Sequence, residues 1–481
     1  MLQMKIIEIN NTQNLALIIL SVIFFTSFAQ IPMAQTTIDD VSRLNETNID
    51  SIRTPTTEED IQDAVRDAIQ SNKRISIAGR RHSQGGHIMV DGAIVLDMTN
   101  YNRILKIDEN AKLLTVQSGT TWAQIQQFLN TRHLSVKVQQ SSNIFTVGGS
   151  LSANIHGRDP RFGAIIETVH SFRLIMADGN ITTVNRTENP ALFSLVIGGY
   201  GLFGIITEVT LSVTDNNQLQ KFTHIIKCAD YPEFLQKSVL TDKTIELHYA
   251  RPDIRKKTLL QDCSVSSLKK IANPIPKPED LKPEKNIRLS KWLLNQSRKS
   301  NWGKNLRWRI QSSFLDKPGK VTTMSRNNAM RPPVKFLEYY NENDTDILQE
   351  YFIPPEHSTA FLRDMRNIIL QEDINLLSIT LRYVKATTES LLSYSPQNTI
   401  GVILYVNHNR DEASIKTVKQ WTQKLIASAV SYDGTYYLTY ANYATKDQIH
   451  EAYPALNQFI EQKKHYDPHT LFLNKFFKHY K

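Results

Sequence analysis

Residues 146–157 read Thr-Val-Gly-Gly-Ser-Leu-Ser-Ala-Asn-Ile-His-Gly, small side chains and paired glycines ahead of an asparagine and a histidine. Main chain this free of bulk can lie directly against a flat ring or a phosphate, and Asn154 and His156 bring hydrogen-bonding groups to the same place. Upstream, Ile77-Ala78-Gly79-Arg80-Arg81-His82-Ser83-Gln84-Gly85-Gly86-His87 carries a short alternating strand, Arg74 to Ala78, into a loop of glycine, arginine and small polar residues. Successive amides in such a loop form a concavity for an anion such as a pyrophosphate; the plain alternative is an ordinary basic turn. Downstream, Gly199-Tyr200-Gly201-Leu202-Phe203-Gly204 matches G-x-G-x-x-G in form only. A Rossmann fingerprint follows a strand and opens a helix. Here a helical pattern, Pro190 to Ile197, comes first and a strand pattern, Ile205 to Val213, comes after. The context excludes a Rossmann unit.

Around these turns the sequence alternates strand and helix signals. Residues 55–70 predict a helix with a threonine start, acids in the first turn and Ile61, Val65 and Ile69 on one side. Strand patterns follow at 93–97, 104–107, 113–118 and 169–176, and Trp122 to Arg132 has helical spacing. Beyond about residue 220, strand and helix patterns lead through the basic stretch to 346–353; strands are predicted at 378–384 and 400–406, helices at 361–371 and 415–429, and a helical, aromatic end from 448 to 480. A chain of 481 residues is long enough for two domains.

The net charge of +9 is concentrated: residues 255–335 hold 20 Lys/Arg against five Asp/Glu, so the remainder is negative. With Pro274, Pro276, Pro278 and Pro283, the stretch reads either as a solvated insertion or as a surface for anionic lipid or a phosphorylated substrate. No nucleic-acid-binding signature accompanies it. Two cysteines, Cys228 and Cys263, exclude a disulfide framework and a cysteine-rich metal site, and no metal centre is expected. They pair once or stay thiols; with nothing local to bring them together, thiols are the preferred expectation. Near the start, Lys5 and the apolar run Leu15 to Phe25, followed by Ser27-Phe28-Ala29 and Pro32-Met33-Ala34, predict an export signal over 1–34, either cleaved or kept as a membrane anchor.

Three elements in order, G-x-x-H-S-x-x-G at 79–86, T-V-G-G-x-x-x-x-N-x-H-G at 146–157 and G-G-x-G-x-F-G-I-I-T-E-V at 198–209, resemble the vanillyl-alcohol oxidase superfamily with its FAD-binding domain of the PCMH type. The strand and turn at 169–179 and the closing Tyr466-Asp467-Pro468 with Phe472 and Asn474 are similar as well. The match covers roughly residues 55–215. It implies an α+β fold: a two-lobed FAD domain over 50–220, a substrate or cap domain with an antiparallel sheet over 221–430 carrying the basic insertion 255–335, and a C-terminal segment, 431–481, completing the FAD domain. It also implies FAD contacts at Ala78, Gly79, Arg80, Arg81, His82, Ser83, Ser141, Thr146, Gly149, Ser152, Ala153, Asn154, His156 and Ile206. Relatives acting on alditols, aldonolactones and cytokinins often bond the flavin covalently to a histidine at the position of His82. Doubly tethered members carry a cysteine soon after the second element; Arg158 to Gly163 holds none, which excludes a second bond.

Substrate chemistry is expected from the cap. Leu381-Arg382-Tyr383-Val384-Lys385 resembles the strand facing the flavin in sugar-oxidising relatives, so Arg382 or Lys385 would stabilise developing negative charge, with Tyr440 as a further catalytic candidate. Strand alternation sets Arg382 and Thr380 on one face and Tyr383 and Lys385 on the other. Alditol-oxidising relatives place an acid two residues before the arginine; here that position is Thr380. The implied reaction is oxidation of an alcohol carbon of a sugar, alditol or aldonolactone-like small molecule, with oxygen or another carrier as final acceptor. The alternatives are oxidation of a lipid-linked sugar phosphate at the membrane and a non-catalytic flavin-binding module.

Overall fold

The computed structural model describes residues 36–272, 279–315 and 317–481. The expected export segment, 1–34, and Pro274, Pro276 and Pro278 lie outside the described residues.

The first lobe is built on a small parallel sheet. After the hairpin of β1 (Thr36–Ile38) and β2 (Thr47–Ile49), strands β3 (Ser51–Arg53), β4 (Ile75–Ala78) and β5 (Ile94–Asp97) pair in the order β3-β5-β4. Helix α1 (Glu58–Gln70) is started by a capping box between Thr57 and Asp60 and buries Ile61, Ala64, Val65 and Ala68. Those side chains pack with Ile75, Ile94 and Leu96 and with Leu471 and Phe472 from the far end of the chain. The Ile75 amide donates to the Leu471 carbonyl (2.7 Å) and the Leu473 amide to that of Ile75 (3.0 Å), so residues 471–473 continue this sheet past β4.

The second lobe is antiparallel. Strands β6 (Ile104–Asp108), β7 (Leu113–Gln117), β9 (Val169–Ile175), β10 (Ile181–Asn185) and β11 (Ile205–Asp215) run β10-β9-β11-β7-β6, and β8 (Leu134–Val136) pairs with the end of β11. Helices α2 (Trp122–Asn130), α3 (Val147–Ser152) and α4 (Pro190–Val196) fill its core.

From β11 the chain passes directly into the cap. Its eight-stranded antiparallel sheet has the order β15-β12-β14-β13-β17-β18-β16-β19. These are β12 (Gln218–Lys227), β13 (Ile245–Pro252), β14 (Asp262–Lys270), β15 (Thr322–Ser325), β16 (Asp344–Ile353), β17 (Leu376–Val384), β18 (Thr399–Asn409) and β19 (Thr435–Tyr436). The stretch 255–335 is therefore not one appended insertion. It supplies β14, an inner strand, and β15, joined by helices α5 (Ile287–Lys299) and α6 (Asn301–Ile310). Helices α7 (Pro355–Gln371) and α8 (Glu412–Ser431) cover one face of the sheet with Phe361, Leu362, Met365, Trp421, Leu425 and Ile426. The opposite face looks toward the FAD lobes. Over one end of it lies α5, where Arg298 forms a buried ion pair with Asp346. The chain closes with α9 (Lys446–Ala452), α10 (Leu456–Tyr466) and α11 (Lys475–Tyr480).

The expectation of free thiols is corrected: Cys228 and Cys263 form a disulfide. The cause is register. Strands β12 and β14 pair from Leu219↔Lys270 to Lys227↔Asp262, which brings the next residue, Cys228, alongside Cys263. The two positions are 35 residues apart in sequence, and only the sheet joins them.

Candidate active site

The three glycine turns meet. A Cβ built at Gly79 would lie 2.3 Å from Thr146 Oγ1, so glycine there lets the first turn press onto the second. The third touches the second through the Tyr200 amide, which donates to the Ser152 carbonyl (3.0 Å), and through the Gly198 amide, which donates to that of Leu151 (3.0 Å). Gly201, at φ +74°, takes a backbone conformation that side chains disfavour, against Ile77 of β4.

In the first turn, Ala78 is the buried last residue of β4 and Arg81 has φ 57°. Among the described residues, the amides of Arg80, Arg81, His82 and Ser83 find no protein acceptor. Consecutive free amides around a left-handed residue make an anion nest. The Arg81 guanidinium is held by Asp97 (2.6 Å), and the Arg80 side chain is exposed, so this turn offers main chain rather than side-chain charge. His82 places Nδ1 2.5 Å from the Arg80 carbonyl and its ring edge-on to Phe145 at 4.9 Å. Burial pulls its pKa below the usual value, which favours the neutral ring.

The second turn is clamped from several sides. Thr146 caps α3 by accepting from the Gly149 amide (3.3 Å). The Ala153 carbonyl accepts from Tyr437 and the Asn154 carbonyl from Tyr394, each at 2.7 Å. Among the described residues, Nδ2 of Asn154, a residue at φ 45°, is buried without a partner, as are His156 Nδ1, Ser118 Oγ and Ser142 Oγ. Buried polar atoms are rarely left unpaired. Four of them at or near these turns fit a bound dinucleotide; Ile206 lies on β11, paired with Leu174 of β9.

The cap contributes the reactive side chains. Sheet register puts Arg382, Gly401 and Phe352 in one lateral row and Thr380, Ile403 and Glu350 in the next, all on the face toward the cradle. Arg382 donates to Ser141 Oγ at 2.6 Å, tying cap to FAD domain. Burial pulls its pKa below the ordinary guanidinium value, opposed by Glu350 and then Tyr440. Tyr440 is pushed up by burial first and by Glu350 next, so its phenol stays protonated. Lys385 does not join them: it sits beyond the end of β17, half exposed, 3.8 Å from Glu167.

Glu350 is the residue the sequence reading missed. Its Oε1 lies 2.6 Å from His156 Nε2, and both side chains are about 96% buried. It reaches toward Arg382 over Gly401, where an added Cβ would stand 3.2 Å from Oε1. The signal was an acid on the inward-facing side of a strand, a position charged residues seldom occupy without a partner. Thr380 and Glu350 flank Ile403 in the same lateral row, one on β17 and the other on β16.

Comparison with known families decides the assignment. A family model described as FAD binding domain matches residues 49–185, and one described as D-arabinono-1,4-lactone oxidase matches 209–480. The chain belongs to the D-arabinono-1,4-lactone oxidase family. Among curated proteins the chain is similar to the bovine L-gulonolactone oxidase, 28% identical over 169 residues, 35% of this chain and 38% of that protein. The mitochondrial L-galactono-1,4-lactone dehydrogenase of Brassica oleracea is 23% identical over 222 residues, 46% of this chain and 37% of the relative. An uncharacterized oxidoreductase of the Rhodococcoides fascians fasciation locus is 30% identical over 161 residues, 33% and 36%. In each case the chain spans little more than a third of the relative's length. The lactone oxidase family model runs from β11 through the whole cap to α11, so both the resemblance to the PCMH-type superfamily and the FAD cofactor hold.

Proposed function

We propose that this chain is an FAD-dependent oxidoreductase that oxidises an alcohol carbon of a sugar lactone or alditol. The observation that carries the reading is the meeting of Arg382 with the His156–Glu350 pair at the turn that bears Asn154. When bound, FAD supplies the hydride acceptor. The protein's own groups handle the proton. The Glu350 carboxylate, fixed by His156, takes the substrate hydroxyl proton as the carbon gives up its hydride, and Arg382 stabilises the alkoxide character that develops on the oxygen. The Tyr440 phenol, kept protonated, hydrogen-bonds the same oxygen. Aldonolactones are favoured because the D-arabinono-1,4-lactone oxidase family model spans the cap and because the acid is not at 380.

Two finer readings accompany this one. His82 is the attachment point for a covalent bond to the flavin: with Nδ1 held by the Arg80 carbonyl and the ring neutral, Nε2 carries the free lone pair. The protein works outside the cytoplasm, which the disulfide supports, since such bonds persist in oxidising compartments.

Anaerobic titration with aldonolactones and alditols, followed at the flavin absorbance, tests the activity: bleaching by one class supports it, and no bleaching by any member leaves a binding module only. Acid precipitation tests the bond. Yellow colour stays in the wild-type pellet and leaves with the supernatant in His82→Ala; colour lost from both sinks the covalent reading alone.

A further inference from the structure

Remote from the flavin cradle, a cavity of about 250 Å³ opens where the turn between α5 and α6 meets the end of α7 and the loop after β13. Its walls include Lys256, Lys299, Ser300, Asn301, Lys304 and the carboxylate Asp373. Lys304, in the first turn of α6, is only 8% exposed, and its ammonium has no hydrogen bond or ion pair among the described residues. Burial lowers its pKa. The neighbouring charges are already matched: Asp373 binds Lys256 at 2.9 Å and Asp346 binds Arg298. Asp373 attracts it only through space, and a largely buried lysine without a direct partner is costly; this one lines an open polar cavity.

The same cavity receives the start of α6, a helix of ten residues. Its N-cap, Ser300, accepts from the Gly303 amide at 3.1 Å, while the amides of Asn301 and Trp302 have no protein acceptor among the described residues. A helix N-terminus with free amides attracts anions. Asn301, which opens the helix, and Lys304 line the same space. The volume falls below the roughly 300 Å³ at which drug-sized sites begin, so the guest is small.

We propose that this cavity is a binding site for a phosphate group, held by Lys304, by the amides opening α6 and by Lys299 at the rim. The phosphate belongs either to a soluble ester or to a lipid headgroup. The second source is pertinent because the α5–α6 hairpin exposes Leu289 (55%), Trp292 (47%) and Trp302 (60%) among Arg288, Lys291 and Lys299. Bulky apolar and basic residues mixed on one surface suit the headgroup region of an anionic membrane.

The test uses the FAD-loaded full chain. Inorganic phosphate is titrated at constant ionic strength and followed by calorimetry and melting temperature. Saturable binding is expected, weakened at least tenfold by Lys304→Met and preserved by Lys304→Arg. Should Lys304→Met not fold, Asn301→Asp serves, since a carboxylate at the first helical position suits the helix yet repels the guest; the same tenfold loss is expected. Flotation with phosphatidylcholine vesicles, with and without phosphatidate, separates the sources. Capture by phosphatidate vesicles that free phosphate competes away identifies a headgroup; phosphate binding without capture identifies a soluble ester. Wild-type protein that binds no phosphate, or binds it equally well as Lys304→Met and Asn301→Asp, overturns the proposal.

Discussion

Replacing Glu350 with glutamine keeps the shape of the side chain and removes its charge. In the wild-type protein the carboxylate accepts a bond of 2.6 Å from His156 and stands near the Arg382 guanidinium, which donates to the neutral Ser141 hydroxyl. The amide can still hydrogen-bond His156, so the domain contact persists. What disappears is the acceptor for the substrate proton. Loss of a positioned base costs about 10²–10⁴ in rate, or roughly 3–5 kcal/mol of transition-state stabilisation. The rate of flavin bleaching at saturating substrate, measured by anaerobic stopped flow, should fall by that factor, while flavin content and absorbance stay unchanged. Gly401→Ala gives an independent reading, because the new Cβ would stand 3.2 Å from Oε1 and must displace a carboxylate that is still present. A milder loss, on the order of tenfold, is expected. A Glu350→Gln enzyme that reduces its flavin within threefold of the wild-type rate would refute the assignment of the proton acceptor.

Other expectations are more local. Cys228→Ala with Cys263→Ala releases a loop spanning 35 positions and should lower cap stability by about 4 kcal/mol, read by urea unfolding with and without reductant. His87 is stacked between Tyr200 and Phe476, and burial pulls its pKa down to about 3. The unfolded chain takes up that proton below about pH 6.5 and the folded chain does not, so stability falls as pH drops from 6.5 toward 3, by about 1.4 kcal/mol per unit. His87→Leu should flatten the slope by about one proton in unfolding measured across that range. Lys385→Met should leave the bleaching rate within about twofold, since its ammonium faces Glu167 rather than Arg382; a larger loss would return Lys385 to the reaction.

Local signals in the sequence were reliable where the physics is local. The capping box at Thr57 and Asp60, the alternation of β4 into Gly79, and the helix-before-strand order around Gly199 to Gly204 all depend on residues within a turn or two of each other, and the structure follows them. The acid at 350 was hidden for the opposite reason: its partner His156 lies 194 positions away, and the glycine that makes room for it sits on a third element. Cys228 and Cys263 needed the β12–β14 register, which no short window contains. Composition marked residues 255–335 as basic but could not separate β14, an inner strand, from the exposed face of α5, nor tell Arg298, Lys304 and Arg326, which turn inward, from the exposed cations. Net charge averages over a segment, whereas burial is settled side chain by side chain.

The seam between Ile75 and residues 471–473 bears on how the protein matures. Ser76 Oγ donates to the Leu473 carbonyl across 397 positions, and Asn474 reaches back to the Tyr200 carbonyl beside the third glycine turn. The sheet that leads into the amide nest thus lacks its last member until this far segment has emerged and folded back, an ordering that long-range contacts make slow. A chain cut short before Leu471 would lack this edge of the sheet that leads into the nest.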